Sequence, residues 1–341
     1  MAETEASPPL LTRLIAGALK RKPVRALLLY VEHRGPMLAD SVTYRTLFSV
    51  FAGVALGFSL AAIWLAGNEQ ALDALVESVD AVVPGLVGED ALINPALIKA
   101  PTGFTVAGVI SLIGLVGAAI GAIGSLRTAI RLLADNVYGD ILPVFVILRN
   151  LVLAIVIGAA LVAAAAATFL ATSGVGIVSG WFGISAEDPL TRTLTRVASI
   201  VVVFILDTGV VAVLYVTLSG VKASARSLWT GAVIGGVGLI ALQELSGLFV
   251  GGASNNPLLV TFASLIALLL WLNLSAQVIL IACAYIITGV DEEKDRVRAR
   301  FGASTFAQRR MKQAERAVQV ASDELAAARE VEQQEREKAD A

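Results

Sequence analysis

Six long, predominantly apolar segments constrain this chain more than any other feature. They cover residues 47–66, 105–126, 145–170, 197–218, 228–250 and 258–288. The hydrocarbon core of a bilayer is about 30 Å thick, and an α-helix crosses it in about 20 apolar residues. The chain has 57% hydrophobic and 16% charged residues, whereas soluble domains have about 45–50% and about 25%. The sequence therefore predicts an all-α, polytopic membrane protein, a bundle of six transmembrane helices.

The distribution of Lys and Arg predicts how this bundle is oriented. With the N-terminus inside, 23 of the 26 basic residues fall on the cytoplasmic side of the membrane, and only Lys99, Arg192 and Arg196 fall outside. Positive charge accumulates in cytoplasmic segments, so both termini are predicted to be cytoplasmic. Seven Lys and Arg residues precede the first long apolar run, which is not the pattern of a cleaved signal peptide. The predicted location is the plasma (inner) membrane.

The chain divides into three predicted regions. Residues 1–9 are polar and predicted to be disordered, 10–290 form the membrane domain, and 291–341 form a charged cytoplasmic helical tail. Residues 10–31 are predicted to form a basic amphipathic helix at the membrane surface, and 72–79 a second interfacial helix in the first outer loop.

The tail carries a weak coiled-coil pattern. Thr305 and Gln308 could form a capping box at the start of its helix. The apolar positions then follow at alternating three- and four-residue spacing, as in a short heptad repeat. A solvated helix is one interpretation, and a homo-oligomer or cytoplasmic partner contact through 305–331 is the other. The positions are Met311, Ala314, Val318, Ala321, Leu325 and Ala328.

Glycine spacing predicts close helix packing inside the membrane. Helices in lipid associate through small residues that let their backbones approach. The second span carries four glycines on one face, and the fifth span carries two. We expect another helix to cross closely at each of these two faces. The glycines are Gly114, Gly117, Gly121, Gly124, Gly231 and Gly235.

Five polar residues lie within the apolar segments and form the candidate transport site. They are Asp207 in the fourth span, Gln243 and Glu244 in the fifth, and Asn273 and Gln277, four residues apart, in the sixth. An ionisable residue at this depth must be neutral, paired or hydrated, and often marks a substrate path. Hydrogen bonding that fixes helix packing is the structural alternative.

A second candidate group lies at the cytoplasmic ends of the spans. Asp40, Tyr44 and Arg45 precede the first span, and Arg149 lies in the first turns of the third. They are predicted to form a gate or an interface, since arginine and tyrosine favour the headgroup level. Whether Arg45 or Arg149 pairs with Asp207 is left open by the sequence.

The residue inventory argues against several kinds of chemistry. The chain has one histidine, His33, predicted to be solvated or at headgroup level, and one cysteine, Cys283. A catalytic triad, a metal site and a disulfide within the chain are therefore not expected. No phosphate-binding loop of the Walker type occurs, and the net charge of −2 gives no sign of nucleic-acid binding. We expect no enzyme activity and no cofactor.

Two regions resemble the YihY/BrkB family of membrane proteins. In "LADSVTYRTLFSVFAG", Ala39, Tyr44, Ser49 and Phe51 match the family's first-span pattern, although Ala52 replaces its usual proline. In the fifth and sixth spans the matching residues are Gly231, Ala232, Trp271 and Ser275. The resemblance covers about residues 25–290. It implies a single domain of six helices in the inner membrane, linked to envelope integrity, serum resistance and transport of lipids or amphiphiles.

These observations leave two hypotheses. The first is a transporter or flippase that moves a lipid-like or anionic amphiphile, with the lipid bilayer as its environment. The second is a structural or assembly protein of the cell envelope that recruits a partner through its C-terminal helix.

Overall fold

The computed structural model describes residues 10–64, 106–136, 145–159, 189–253, 257–294, 303 and 305–339. Within these ranges the chain forms helices joined by short turns, and no strand. The helices are α1 (Leu10–Leu19), α2 (Lys22–Glu32), α3 (Gly35–Trp64), α4 (Val106–Leu133), α5 (Phe145–Ala159), α6 (Pro189–Leu218), α7 (Ala225–Ala253), α8 (Pro257–Lys294) and α9 (Phe306–Ala339).

Four of the predicted spans are confirmed as helices long and apolar enough to cross a membrane. They are Ile113–Leu133 in α4, Ser199–Leu218 in α6, Ala225–Leu245 in α7 and Leu265–Lys294 in α8. The first predicted span lies mostly in α3, and the third begins with the shorter apolar helix α5. The predicted disorder of 1–9, the interfacial helix at 72–79 and the outer part of the third span lie outside the described residues.

Helix α8 lies at the centre of the bundle, where it packs against α2, α3, α4, α6 and α7. Its side chains at Leu280, Cys283 and Ile286 are fully buried. They share one apolar cluster with Ile130 of α4 and Tyr215 of α6. Cys283 is therefore a core residue, as a cysteine isolated in an apolar run usually is.

Helix α2 is a packed element of the bundle. The sequence predicted one amphipathic helix at the membrane surface, but the structure has two, because Pro23 in the first turn of α2 cannot continue a preceding helix. Ala26, Leu29 and Tyr30 are buried, and α2 contacts α8. The apolar face of α2 therefore covers protein.

The glycines differ in what they contact. A Cβ atom at Gly231 of α7 would overlap the Ile286 side chain and lie 3.1 Å from the Ala282 carbonyl oxygen of α8. Gly235 similarly faces Ala282 and Val211 at 3.0–3.1 Å. The fifth-span glycines thus lie where α7 crosses α8 and α6 closely.

The described contacts of the α4 glycines are looser than those of α7, although α4 packs extensively against α3. A Cβ atom added at Gly114 or Gly117 would have no described atom within 4 Å. Gly121 and Gly124 face only the ends of the long side chains of Arg45, at 3.7 Å, and Asn150, at 3.5 Å. The repeated spacing identified a common face, but it carried no information about which neighbour covers that face.

Several helix ends meet at one end of the bundle, which we call the basal face. It comprises the α2–α3 turn at 33–34, the end of α4 at 133–136, the α6–α7 turn at 219–224 and the end of α8 at 291–294. Asn136 Nδ2 donates to the carbonyl oxygen of Ser219 over 3.3 Å. Ser224 and Ser227 donate to Glu293 over 2.5 and 2.8 Å.

Candidate functional site

A chain of side-chain hydrogen bonds connects α8 to α3. Gln277 Nε2 donates to Asn273 Oδ1, and Asn273 Nδ2 donates to Asp40 Oδ1, each over 2.7 Å. Asn273 also lies 3.4 Å from the Thr43 hydroxyl, which donates to the Ala39 carbonyl oxygen. The two amides predicted to share a face of the sixth span therefore act with Asp40, which the sequence had placed in a separate group. We call Asp40, Thr43, Asn273 and Gln277 the polar chain.

Arg45 follows Asp40 by five residues on α3 and faces a different helix from the polar chain. Its guanidinium group faces Gly121 of α4, and within the described part of the chain no acidic or amide side chain pairs with it. Tyr44 is 65% exposed and packs edge-on against Phe48, with ring centroids 5.1 Å apart. Arg45 is exposed as well. Its positive charge therefore lies on an open face of the α3–α4 pair, opposite Gly121.

Asp207 lies on α6 away from both arginines considered from the sequence. One of its carboxylate oxygens, Oδ2, is buried and has no hydrogen-bond partner among the described residues, and the same holds for the neighbouring Thr208 hydroxyl. The Thr208 side chain packs against Gly236 of α7. An unpartnered buried carboxylate is costly, so α6 carries a polar group that packing alone does not explain.

Glu244 has a partner that the sequence did not indicate. Arg196 Nη2 of α6 donates to Glu244 Oε2 of α7 over 2.8 Å, and both side chains are exposed. The apolar pattern placed Arg196 among the outer-loop charges, but α6 already begins at Pro189. Gln243, the neighbour of Glu244, is half-buried on the same helix, and Arg149 is exposed on α5.

The described contacts therefore divide the predicted intramembrane residues into three groups. Asn273 and Gln277 bond toward α3, Glu244 bonds to α6, and Asp207 has an unpartnered buried oxygen on α6. The sequence placed these residues at similar depths and left open whether they converge. Depth fixes a position along the membrane normal only, and helices of similar depth can face in different directions.

A second polar region lies where α9 docks on the basal face. Arg309 donates from Nε and Nη2 to the two carboxylate oxygens of Glu32, with the second bond at 3.0 Å, and Nη2 also lies 3.4 Å from the Arg25 carbonyl oxygen. About two turns further along α9, Arg316 Nη1 lies 3.6 Å from both Asp135 and Asp291. The paired groups of Arg309 and Glu32 are each 19% exposed.

His33 belongs to this region and has two partners within the protein, whereas the sequence predicted a solvated or headgroup-level residue. Its Nε2 lies 2.9 Å from Asp135 Oδ1, and its Nδ1 lies 2.9 Å from the Leu29 carbonyl oxygen. The hydrogen bond to Asp135 raises the pKa of His33, and burial opposes that effect. Burial alone would raise the pKa of Asp135, but His33 and Arg316 outweigh it and lower that pKa.

Further contacts tie α2 to the end of α8. Arg25 Nη2 donates to Glu292, and the Lys22 ammonium lies 4.2 Å from the centre of the Tyr285 ring. Burial lowers the pKa of Lys22, although Glu292 and Glu293 act in the opposite direction. The contact of Lys22 with the Tyr285 ring and the largely buried Arg25–Glu292 ion pair together hold α2 against α8.

The docked helix α9 and the basal face border a partly open cavity of about 710 Å³. Charged side chains of both signs line it in nearly equal number, although apolar atoms make up the larger part of its surface. Basic residues contributed by α2, α8 and α9 include Arg25, Lys294, Arg309, Lys312 and Arg316, and acidic ones include Glu32, Asp135, Asp291 and Glu315. In the described ranges, no group of three His, Cys, Asp or Glu side chains is placed to hold a metal ion.

The fold and these polar groups define a class: an all-helical membrane protein with several spanning helices and ionisable residues at membrane depth. Sequence comparison identifies the family. The family model described as Virulence factor BrkB matches residues 27–303, and the chain belongs to that family. No curated protein and no solved structure gave a significant match to the chain.

Proposed function

We propose that this protein is a transporter that moves an anionic amphiphile across the plasma membrane by non-covalent steps. The observation that carries the proposal is the polar chain between α3 and α8, together with Arg45 exposed on the same helix α3. A molecule with a charged head and an apolar tail needs a polar track for its head, while its tail can remain in lipid. Polar residues within the membrane commonly form such tracks.

The charge of Arg45 favours an anionic head. A guanidinium group binds carboxylates and phosphates through two parallel hydrogen bonds. Gly121 opposite Arg45 leaves open space, since a Cβ there would meet only the guanidinium itself. Asp40, five positions earlier on α3, already uses an oxygen to accept from Asn273.

The proposed orientation places the basal face in the cytoplasm. The basic residues gather in the segments that form this face and in α9. The positive-inside tendency supports that assignment. In this arrangement both termini are cytoplasmic, and the two predicted spans that are only partly described complete a bundle of six.

The direct test uses purified protein in liposomes with fluorescent phospholipids of anionic or zwitterionic headgroup. Transfer between leaflets is followed by chemical quenching of the outer leaflet, with and without an imposed pH gradient. We expect faster transfer of the anionic lipid, and a loss of at least fivefold in Arg45→Gln. Arg226→Gln is the matched control, because Arg226 is an exposed arginine at the start of α7. Equal rates with and without protein for every headgroup would refute the proposal.

The intramembrane acids offer a second test, of energy coupling. The chain has no Walker loop, so a proton gradient is the energy source that the residues suggest. Asp207→Asn and Glu244→Gln should then abolish the response to a pH gradient. If both variants transport normally and leave cell-envelope phenotypes unchanged, these acids have no role in transport.

An envelope assembly role is the alternative, favoured by the exposed apolar residues of α9. In that case deletion of residues 303–341 should abolish function in the cell while the membrane domain stays folded. Full function without the tail, together with lipid transfer in liposomes, would favour the transporter.

A further inference from the structure

Helix α9 presents two different faces. The first contacts the basal face through Arg309 and Arg316. Val318 follows Arg309 by nine residues, and Leu325 follows Arg316 by nine. At about 3.6 residues per turn, nine residues are two and a half turns. The apolar side chains therefore lie on the side of α9 opposite its docking contacts.

These apolar side chains form a continuous exposed stripe. Met311, Val318 and Leu325 recur every seven residues and are 57%, 70% and 52% exposed. Three alanines, each three residues further on, fill the positions between them and are also exposed. We call these residues the α9 stripe: Met311, Ala314, Val318, Ala321, Leu325 and Ala328.

We propose that the α9 stripe binds the same stripe of a second copy of this chain, as a parallel, in-register, two-stranded coiled coil. The stripe supplies the a positions (Met311, Val318, Leu325) and the d positions of a heptad repeat, and its seven-residue period is that of a left-handed coiled coil. A single helix would leave this stripe in water. Pairing with its own copy buries it on both chains.

The flanking charges identify the occupant and the direction of pairing. In a parallel dimer each g residue faces the e residue of the following heptad on the other chain. The g and e positions here pair Arg310 with Glu315 of the second copy, and Glu324 with Arg329 of the second copy. The g and e pair between these two, Ala317 and Ser322, is uncharged. Both charged contacts are therefore attractive in register, and the two-fold symmetry repeats each of them.

Membrane insertion favours the same arrangement. Two copies inserted in the same sense are related by a two-fold axis along the membrane normal, and this symmetry makes the two α9 helices parallel where they run along that normal. A coiled coil of this length, with alanine at d, is marginal in isolation. Confinement of both membrane domains to one bilayer raises the effective concentration of the tails.

Cysteine cross-linking tests the proposal in full-length protein. Cys283 is the only native cysteine, so a Cys283→Ala background carries single cysteines at chosen positions. Purified protein in liposomes is oxidised and the covalent dimer is measured. We expect strong cross-linking for Val318→Cys and Leu325→Cys, and at least fivefold less for the control Asp323→Cys, which lies on the outer side of the repeat. Equal cross-linking at all three sites, or none at any, would overturn the proposal.

Charge reversal provides the second measurement. Glu324→Arg and Arg329→Glu should each reduce the Val318→Cys cross-link severalfold, and combining them in one chain should restore it, because the pair is again attractive. Absence of restoration overturns the register. A dominant cross-link between co-reconstituted Val318→Cys and Ala321→Cys chains, without cross-links between identical chains, overturns the parallel direction. The proposal does not depend on transport activity, so its failure and that of the proposed function are separate results.

Discussion

Replacing Arg309 by Gln should release α9 from the basal face. The Arg309 guanidinium donates two hydrogen bonds to the Glu32 carboxylate and approaches the Arg25 carbonyl oxygen. With both paired side chains 19% exposed, this is the most protected contact described between α9 and the bundle. Hydrogen bonds between charged groups contribute about 1.5–3 kcal/mol.

The expected effect of this replacement follows from that range. A loss of about 1.5–3 kcal/mol raises the ratio of undocked to docked helix by a factor of about 10–150. Arg316 differs, because its side chain is 53% exposed and its contacts are 3.6 Å long. Exposed ion pairs contribute about 0–1 kcal/mol, so Arg316→Gln should raise the same ratio less than about sixfold.

Hydrogen exchange of the backbone amides of 306–319, followed by mass spectrometry in nanodiscs, measures this ratio. The undocked helix frays, so its amides exchange faster in proportion to the undocked population. Arg336→Gln is the matched control, since Arg336 pairs with Glu332 one turn away on α9, at 2.5 Å. Exchange in Arg309→Gln within twofold of the wild type, or a larger effect in Arg316→Gln, would refute the assignment of docking to the Arg309–Glu32 pair.

Three further predictions concern pH, packing and the polar chain. The raised pKa of His33 means that its bond to Asp135 stabilises the fold below about pH 6.5 and that this contribution disappears as pH rises through the raised value. Between pH 6 and pH 8.5 the melting temperature should therefore decrease more in the wild type than in His33→Gln. An equal decrease in both proteins would contradict this. Gly231→Ala should destabilise the fold by about 1–2 kcal/mol, because overpacking against α8 outweighs the gain in helix propensity, whereas Gly117→Ala should be neutral or stabilising in the same unfolding assay. Asn273→Ala should lower transport at least fivefold but stability by only about 0.6 kcal/mol, and a parallel loss of both would make Asn273 a packing residue.

The spanning helices could be predicted from sequence for a physical reason. In lipid every backbone group must bond within its own segment, so a long apolar run has few alternatives to a helix. The start of α9 could be predicted as well, because a helix cap is local: the Gln308 backbone N–H donates to the Thr305 hydroxyl over 3.2 Å, which confirms that half of the capping box.

The partners of the polar side chains could not be predicted. Asn273 and Asp40 are separated by 233 positions, and Arg309 and Glu32 by 277. Such contacts depend on how far each helix is rotated about its axis and on which helices are neighbours. The only signal was indirect, since acidic and basic residues accumulate at the predicted span ends around 20–34 and 291–316.

The glycines also show that sequence spacing does not identify the neighbouring group. The spacing in α4 and in α7 looked equivalent, yet only Gly231 and Gly235 pack against the backbone or Cβ atoms of a neighbouring helix. The α4 glycines Gly121 and Gly124 instead leave room for Arg45 and Asn150. A small residue permits close approach, and the neighbour decides whether that space holds a helix or a polar side chain.

The distribution of polar contacts bears on which helices can move during transport. Helix α8 is tied to the α2–α3 hairpin at two levels: by Asn273 and Asp40 within the membrane, and by Arg25 and Glu292 at the basal face. The two levels are 19 residues apart on α8, about 28 Å at 1.5 Å per residue, so tilting α8 against the hairpin would break one set of bonds. Ser227 of α7 is bonded to Glu293 of α8 at the basal face. Beyond that end, α6 and α7 meet α8 mainly through small and apolar side chains such as those around Ala282, and such contacts can slide at lower cost. In the proposed transporter, α2, α3 and α8 therefore form the fixed part, and the α6–α7 pair, which carries Asp207, is the part expected to move.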